Sequence, residues 1–216
     1  MAKKRKVIET IIGDSPPMIE MKKLIGRAAP TDLPILLKGE TGSGKTHIAR
    51  VIHEASGRGE GPFVSVNLAV ISPGLASAEL FGFVKGSFTG AGRDKPGLIA
   101  TADGGTLFLD ELEIAPPEIQ ALLIRFLSEM SVVPVGSTAE RRVDVRVIAS
   151  AMTMESRSST LRRDLVDRLA GIVIEIPPLR TRKQDIPALA AHFLASRGHA
   201  KLSSPAADVL QAHTYP

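Results

Sequence analysis

The chain has 216 residues, 44% of them hydrophobic and 23% charged, ordinary proportions for a folded globular protein. It contains no cysteine, which excludes a disulfide framework, a thiol nucleophile and Cys-ligated zinc or iron–sulfur centres. No apolar run approaches the ~20 residues needed to span a bilayer, and the net charge of +4 permits an anionic partner without demanding one.

Residues 1–10 carry the run Lys3-Lys4-Arg5-Lys6 and read as a solvated basic N-terminal arm. No apolar signal-peptide core accompanies it, so a cytoplasmic location and no membrane partner are expected. After Asp14-Ser15-Pro16, Met18, Met21, Leu24, Ile25 and Ala28 recur at helical spacing. Pro34-Ile35-Leu36-Leu37 reads as a buried strand that opens into a glycine-rich loop. A second helix is predicted from Lys45 to Ala55, followed by a Gly/Pro loop at 57–62 and a strand over Phe63–Asn67. Residues 82–97 are rich in glycine and interrupt the alternation. Thr106-Leu107-Phe108-Leu109 is a third buried strand, running into Asp110-Glu111. From Pro117, residues Ile119, Leu122, Leu123, Phe126, Leu127 and Met130 form one apolar helix face. Strands follow at 145–149 and 172–176, with a short helix at 162–169 between them. Pro177-Pro178 marks a break, and 186–195 and 205–212 are helical in pattern. Strands alternating with helices predict an α/β fold, a parallel sheet flanked by helices. The expected division is a core over 11–176 and a small helical appendage over 177–216. Aromatic residues are only 4% of the chain and Trp is absent, which argues against a platform for stacking nucleic-acid bases.

One string carries chemistry. Gly39-Glu40-Thr41-Gly42-Ser43-Gly44-Lys45-Thr46 fits G-x-x-x-x-G-K-[ST] and lies between an apolar strand and a helix, where such a loop must lie. Its glycines let backbone N–H groups curl around phosphates, and the helix N-terminus favours anions. Lys45 is expected to reach the β/γ-phosphates, and the Thr46 hydroxyl to bind Mg²⁺. Asp110, at the end of its strand, is expected to complete the Mg²⁺ shell, with Glu111 as general base for an attacking water. An acidic pair after a strand is by itself more often a helix start with a favourable dipole; the phosphate loop upstream tips the balance toward a P-loop NTPase.

The task of that NTPase comes from Gly86-Ser87-Phe88-Thr89-Gly90-Ala91. Glu79-Leu80-Phe81-Gly82, followed by Lys85 and these six residues, resembles the ELFG…KGAFTGA segment of the AAA+ domains of bacterial enhancer-binding proteins, the NtrC-like activators of sigma-54 RNA polymerase. Gly104-Gly105-Thr106-Leu107-Phe108-Leu109-Asp110-Glu111 is similar to the Walker B segment of that family. Pro177-Pro178-Leu179-Arg180, with Arg182 and Asp185-Ile186, is similar to the start of its lid. The resemblance runs from about Ile11 over nearly the whole chain. It implies an AAA+ P-loop NTPase fold with an incomplete helical lid, ATP and Mg²⁺ as ligands, a homo-oligomeric ring, and a sigma-54 factor gripped by residues 86–91. By position, Asn67 matches the Asn that hydrogen-bonds the Walker B Glu, and Arg162 and Arg168 match the arginine fingers that reach a neighbouring subunit's γ-phosphate. Each position also has a local reading: an Asx cap for Asn67, solvated surface for the two arginines, and an ordinary surface loop for 86–91.

The sequence departs from the family pattern in several places. Ser87 stands where Ala is usual, adding a hydroxyl at a tight position. Met152 stands where the sensor I segment usually carries Asn, and a thioether replaces an amide poorly. The sequence stops before the segment that holds the sensor II Arg, and no helix-turn-helix follows, so no DNA-binding domain is expected within this chain. Two readings of function result. One is an ATP-hydrolysing sigma-54 interaction domain that remodels the polymerase to activate transcription. The other is a nucleotide-binding, weakly or non-catalytic regulatory module that joins or inhibits rings of full-length activators. A third option is an AAA+ remodelling ATPase with another client.

Overall fold

The computed structural model describes residues 6–152, 161–198 and 202–215. Lys3, Lys4 and Arg5 of the basic arm lie outside the described residues. After a helical turn at residues 6–8, helix α1 (Pro16–Ala28) starts on Pro16 and Pro17, where a missing N–H costs nothing. It leads to β1 (Ile35–Lys38), α2 (Lys45–Ala55) and β2 (Phe63–Asn67). Then come α3 (Pro73–Phe81), the antiparallel pair β3 (Gly82–Phe83) and β4 (Lys95–Pro96), and one helical turn, α4 (Leu98–Thr101). The chain continues through β5 (Thr106–Asp110), α5 (Pro117–Glu129), a second small antiparallel pair, β6 (Ser131–Val132) and β7 (Arg141–Arg142), and β8 (Arg146–Ala151). After α6 (Arg163–Leu169) and β9 (Ile172–Glu175), two 3₁₀ turns at Leu179–Thr181 and Lys183–Asp185 lead into α7 (Ile186–Ser196) and α8 (Ser204–Ala212).

Five strands form one parallel sheet in the order β2-β5-β8-β1-β9. Each of the three central strands contains a run of three apolar residues, because both sheet faces are covered. Alternation divides them between two cores. Leu36, Leu107, Leu109, Val147 and Ala149 pack with α5 residues Leu123 and Phe126, whereas Ile35, Leu37, Phe108 and Ile148 pack with α1 and α2. The C-terminal end of α1 is closed by a buried arginine. Arg146, on β8, donates to the carbonyls of Ala28 and Ala29 at 2.9 and 2.8 Å, satisfying groups a helix end leaves open.

The expected strands and long helices are present. Helix α3 and the two small antiparallel pairs are additions. The glycine-rich stretch is less irregular than its composition predicts, because the β3–β4 pair clamps its two ends together.

Candidate functional site

The phosphate loop, residues 39–44, joins the C-terminal end of β1 to the N-terminus of α2, in the middle of the parallel sheet. Gly42 and Gly44 have φ of 78° and 98°, left-handed values that turn the backbone N–H groups inward. Lys45 is buried, and its ammonium donates to the carbonyls of Gly39 (2.8 Å) and Glu40 (3.0 Å). Those two bonds hold the charge across the mouth of the loop and leave one of its three N–H donors free of these carbonyls. Ser43 Oγ is buried without a hydrogen-bond partner, and a buried hydroxyl in that condition is a site for a missing acceptor. The loop therefore fits a phosphate.

Thr46 follows. Its hydroxyl donates to Asp110 Oδ2 at 3.2 Å, across 64 residues of sequence. A hydroxyl and a carboxylate beside a phosphate loop are the hard oxygen ligands Mg²⁺ takes, with phosphate oxygens and water supplying the rest. Asp110 Oδ1 accepts a short hydrogen bond from the Ser150 hydroxyl on β8. Glu111, the next residue, has φ 56° and ψ 51°, a left-handed conformation unusual for a residue with a Cβ. Its N–H donates to Ser150 Oγ at 3.1 Å.

The other expected residues are placed as follows. Asn67 ends β2 in register with Asp110. Its Oδ1 accepts from the Ala69 N–H at 2.8 Å, an Asx turn, and among the described residues no hydrogen bond joins it to Glu111. Arg162 is the N-cap residue of α6, and its guanidinium forms two bonds to Asp164, of 3.1 and 2.8 Å. Arg168 lies exposed in the last turn of the same helix. Met152 is half-exposed just beyond β8, and its N–H donates to Glu113 Oε1 at 3.2 Å. Lys45, Thr46, Asp110 and Glu111 thus come together, whereas Arg162 and Arg168 sit on the surface.

A cavity of about 830 Å³ adjoins the loop, bounded by the N-terminal segment, the loop itself and helices α7 and α8. Ile12, Ile176, Leu179 and Phe193 give it apolar walls, suited to a nucleoside. A larger groove of about 1170 Å³ runs between α1 and β9 and takes in only Gly39 and Glu40 of the loop, whereas Glu40 to Gly44 line the first cavity. Between the two, Arg180 grips Glu40 with a pair of bonds of 2.6 and 2.7 Å, joining the phosphate loop to the 3₁₀ turn at Leu179–Thr181. This hydrogen-bonded guanidinium holds the Glu40 carboxyl below the usual carboxylate range. Sequence reading missed Ser150 and the Glu40–Arg180 pair. Ser150 had one signal, a hydroxyl directly after the apolar run Val147-Ile148-Ala149.

Residues 86–91 form a compact turn. Gly86 N–H donates to Ala91 O at 2.8 Å, and Ala91 N–H to Phe88 O at 3.0 Å. Phe88 leans on Phe83, ring centroids 4.9 Å apart and edge-to-face, and keeps 38% of its surface exposed. Thr89 and Gly90 are exposed, whereas Ala91 is buried. Ser87 is tucked against Gly136, where a Cβ would stand 2.5 Å from Ser87 Cβ. Its hydroxyl is buried with no hydrogen-bond partner. The family's usual Ala would leave nothing unsatisfied there.

Comparison with known proteins agrees with this geometry. Residues 11–175 match the family described as the Sigma-54 interaction domain. The response regulator PilR of Pseudomonas aeruginosa is 40% identical over 224 residues, which cover all of this chain and 50% of PilR. The transcriptional regulator NtrC of Escherichia coli K12 is 43% identical over 187 residues, 85% of this chain and 40% of NtrC. The crystal structure of NtrX from Brucella abortus in complex with ATP superposes with a TM-score of 0.84 at 36% identity, covering 95% of this chain and 49% of NtrX. The chain spans half or less of the length of these relatives. Among the described residues no helix is long and apolar enough to cross a membrane. With the phosphate loop, the paired carboxylates and the parallel sheet in place, the chain belongs to the Sigma-54 interaction domain family and has its AAA+ P-loop NTPase fold.

Proposed function

We propose that this chain binds ATP with Mg²⁺, hydrolyses it in a ring of identical copies, and uses the nucleotide state to drive residues 86–91 against a sigma-54 factor of RNA polymerase in the cytoplasm. The observation that carries this reading is the Thr46–Asp110 contact beside Lys45, groups from two segments 64 residues apart meeting at one phosphate loop. The family match and the ATP complex of NtrX support it. Residues 11–176 act as the ATPase core and 177–216 as part of a lid, with residues 1–10 as a basic arm.

The roles follow from the positions. Backbone N–H groups of residues 39–44 hold the phosphates, and Lys45 turns from the loop carbonyls to the β/γ-oxygens. Thr46 and Asp110 would hold Mg²⁺, which would supply positive charge beside those oxygens. Glu111 orients a water and accepts its proton as the water oxygen bonds to the γ-phosphorus. The bond to the β,γ-bridging oxygen breaks, and ADP and phosphate leave. Arg162 and Arg168, on the surface of one copy, supply cations to the site of the next. Asn67 is proposed to exchange its bond to Ala69 for one to Glu111 when nucleotide binds. Gly86, Ser87, Phe88, Thr89, Gly90 and Ala91 make the contact with sigma-54, with Phe88 and Thr89 leading.

ATPase rate measured against protein concentration tests the shared site. The rate should rise steeply with concentration and drop 10³–10⁵-fold, roughly, in Arg168→Ala. Protein with ADP and a metal fluoride should capture purified sigma-54, and Phe88→Ala or Thr89→Ala should abolish capture; capture unaffected by both changes refutes the loop assignment. The regulatory-module reading is favoured by the exposed thioether at Met152 and by Arg162 already paired to Asp164. Nucleotide binding with a flat, near-zero rate would establish it instead.

A further inference from the structure

Strand β8 is buried along its whole length, and Ser150 is fully buried within it. A hydroxyl in the centre of a parallel sheet needs partners. Ser150 has two, and they are consecutive residues with different tasks. Its O–H donates to Asp110 Oδ1, and its oxygen accepts the Glu111 N–H at 3.1 Å. The second carboxylate oxygen, Oδ2, accepts from Thr46 at 3.2 Å. With one oxygen engaged by Ser150, the Asp110 carboxylate cannot rotate freely and must keep Oδ2 toward the phosphate loop. Glu111 lies one residue past the end of β5, in a left-handed conformation, φ 56°. Its N–H is met there by Ser150 rather than by a backbone carbonyl of the sheet.

We infer that Ser150 is a positioning residue for nucleotide hydrolysis: its single hydroxyl aims the Asp110 carboxylate at the Mg²⁺ position and holds the Glu111 backbone in the turn from which its side chain acts. The inference rests on the nucleotide-hydrolysing reading above and extends it to a strand that contributes no ligand. It also gives β8 a polar contact with the site in a chain whose Met152 offers only a thioether two residues further on.

The test separates orientation from folding. Affinity for the fluorescent analogue mant-ATP is measured with Mg²⁺ and with EDTA, alongside kcat and KM for ATP, in wild type, Ser150→Ala and Ser150→Thr. In Ser150→Ala the gain in affinity that Mg²⁺ confers should shrink about tenfold, with affinity in EDTA unchanged and kcat lowered by about tenfold or more, the size expected for loss of a group that orients a metal ligand. Ser150→Thr, which keeps the hydroxyl, should recover most of both effects. An equal loss of affinity with and without Mg²⁺, or a Mg²⁺ gain and kcat equal to wild type, would overturn the inference. Should Ser150→Ala fail to fold, amide exchange of wild-type Glu111 decides. Slow exchange is expected for an N–H bonded to a buried hydroxyl, and exchange as fast as at exposed loop amides overturns the inference. Wild-type protein that shows no nucleotide binding would overturn the hydrolytic reading itself, and this inference with it.

Discussion

Two glycine-rich segments, residues 39–44 and 86–91, bend by the same means and are held by opposite ones. In the first, the neighbouring side chains are nearly all committed: Lys45 to two carbonyls, Thr46 and Ser150 to the two oxygens of Asp110, Arg180 to Glu40. In the second, the hold is four backbone hydrogen bonds (Gly86 to Ala91, Ser87 to Val84, Ala91 to Phe88 and Gly92 to Gly90), one ring contact and a hydroxyl with no partner. Glycine makes both shapes possible, but the first segment is pinned by the side chains around it and the second mainly by its own backbone.

The largest expected effect separates chemistry from architecture in the cradle. Glu111→Gln should keep nucleotide affinity near wild type and lower the steady-state ATPase rate by roughly 10²–10⁴-fold; equal loss of binding would mean that the residue shapes the cradle instead. Next comes Gly136→Ala. This position has φ 80°, and a Cβ there would stand 2.5 Å from Ser87 Cβ. The turn should be displaced, with amide exchange across 86–91 faster by about tenfold and nucleotide affinity unchanged within about twofold. Ser87→Ala acts in the reverse sense. Removing a buried, unsatisfied hydroxyl should stabilise the tucked turn by about 1 kcal/mol, slowing the same exchange about fivefold. The smallest effect concerns the base of the cradle. His53 Nδ1 lies 2.9 Å from Thr106 Oγ1, linking α2 to β5, and burial lowers its pKa below 6.5. The unfolded chain then takes up a proton before the folded one does. Stability should be full above pH 6.5, fall as the pH drops below it, and stop falling once the folded ring titrates. Thermal melts from pH 7.5 to 5 should show this slope, and His53→Gln should lack it.

The cradle was legible because its residues are local. A strand, a glycine loop and a helix follow one another within a single motif, and Asp110 announces itself at the end of an apolar run. Helix α3 was not legible, because its sequence PGLASAELF is apolar nearly all round and shows no helical stripe. The Glu40–Arg180 pair joins residues 140 apart, and nothing in either neighbourhood points to the other. Asn67 illustrates a different limit. Its place at the strand end was readable, but an amide can serve either a turn or a neighbouring carboxylate, and here it serves Ala69. The departure at Ser87 was visible as a letter change; its cost became visible only with Gly136 packed against it.

The double proline at 177–178 invites one to draw a hinge there, yet the chain is moored well past it. Asp185 is buried and accepts from the N–H groups of Asp14 and Ser15 and from the Ser15 hydroxyl, at 2.9, 3.0 and 2.6 Å, and Arg182 is buried against Met18 of α1. The segment between the prolines and α7 is therefore riveted to the opposite end of the polypeptide. Any displacement of α7 and α8 against the sheet would therefore have to begin after Asp185, since the chain before it is tied to the N-cap of α1 and to Met18.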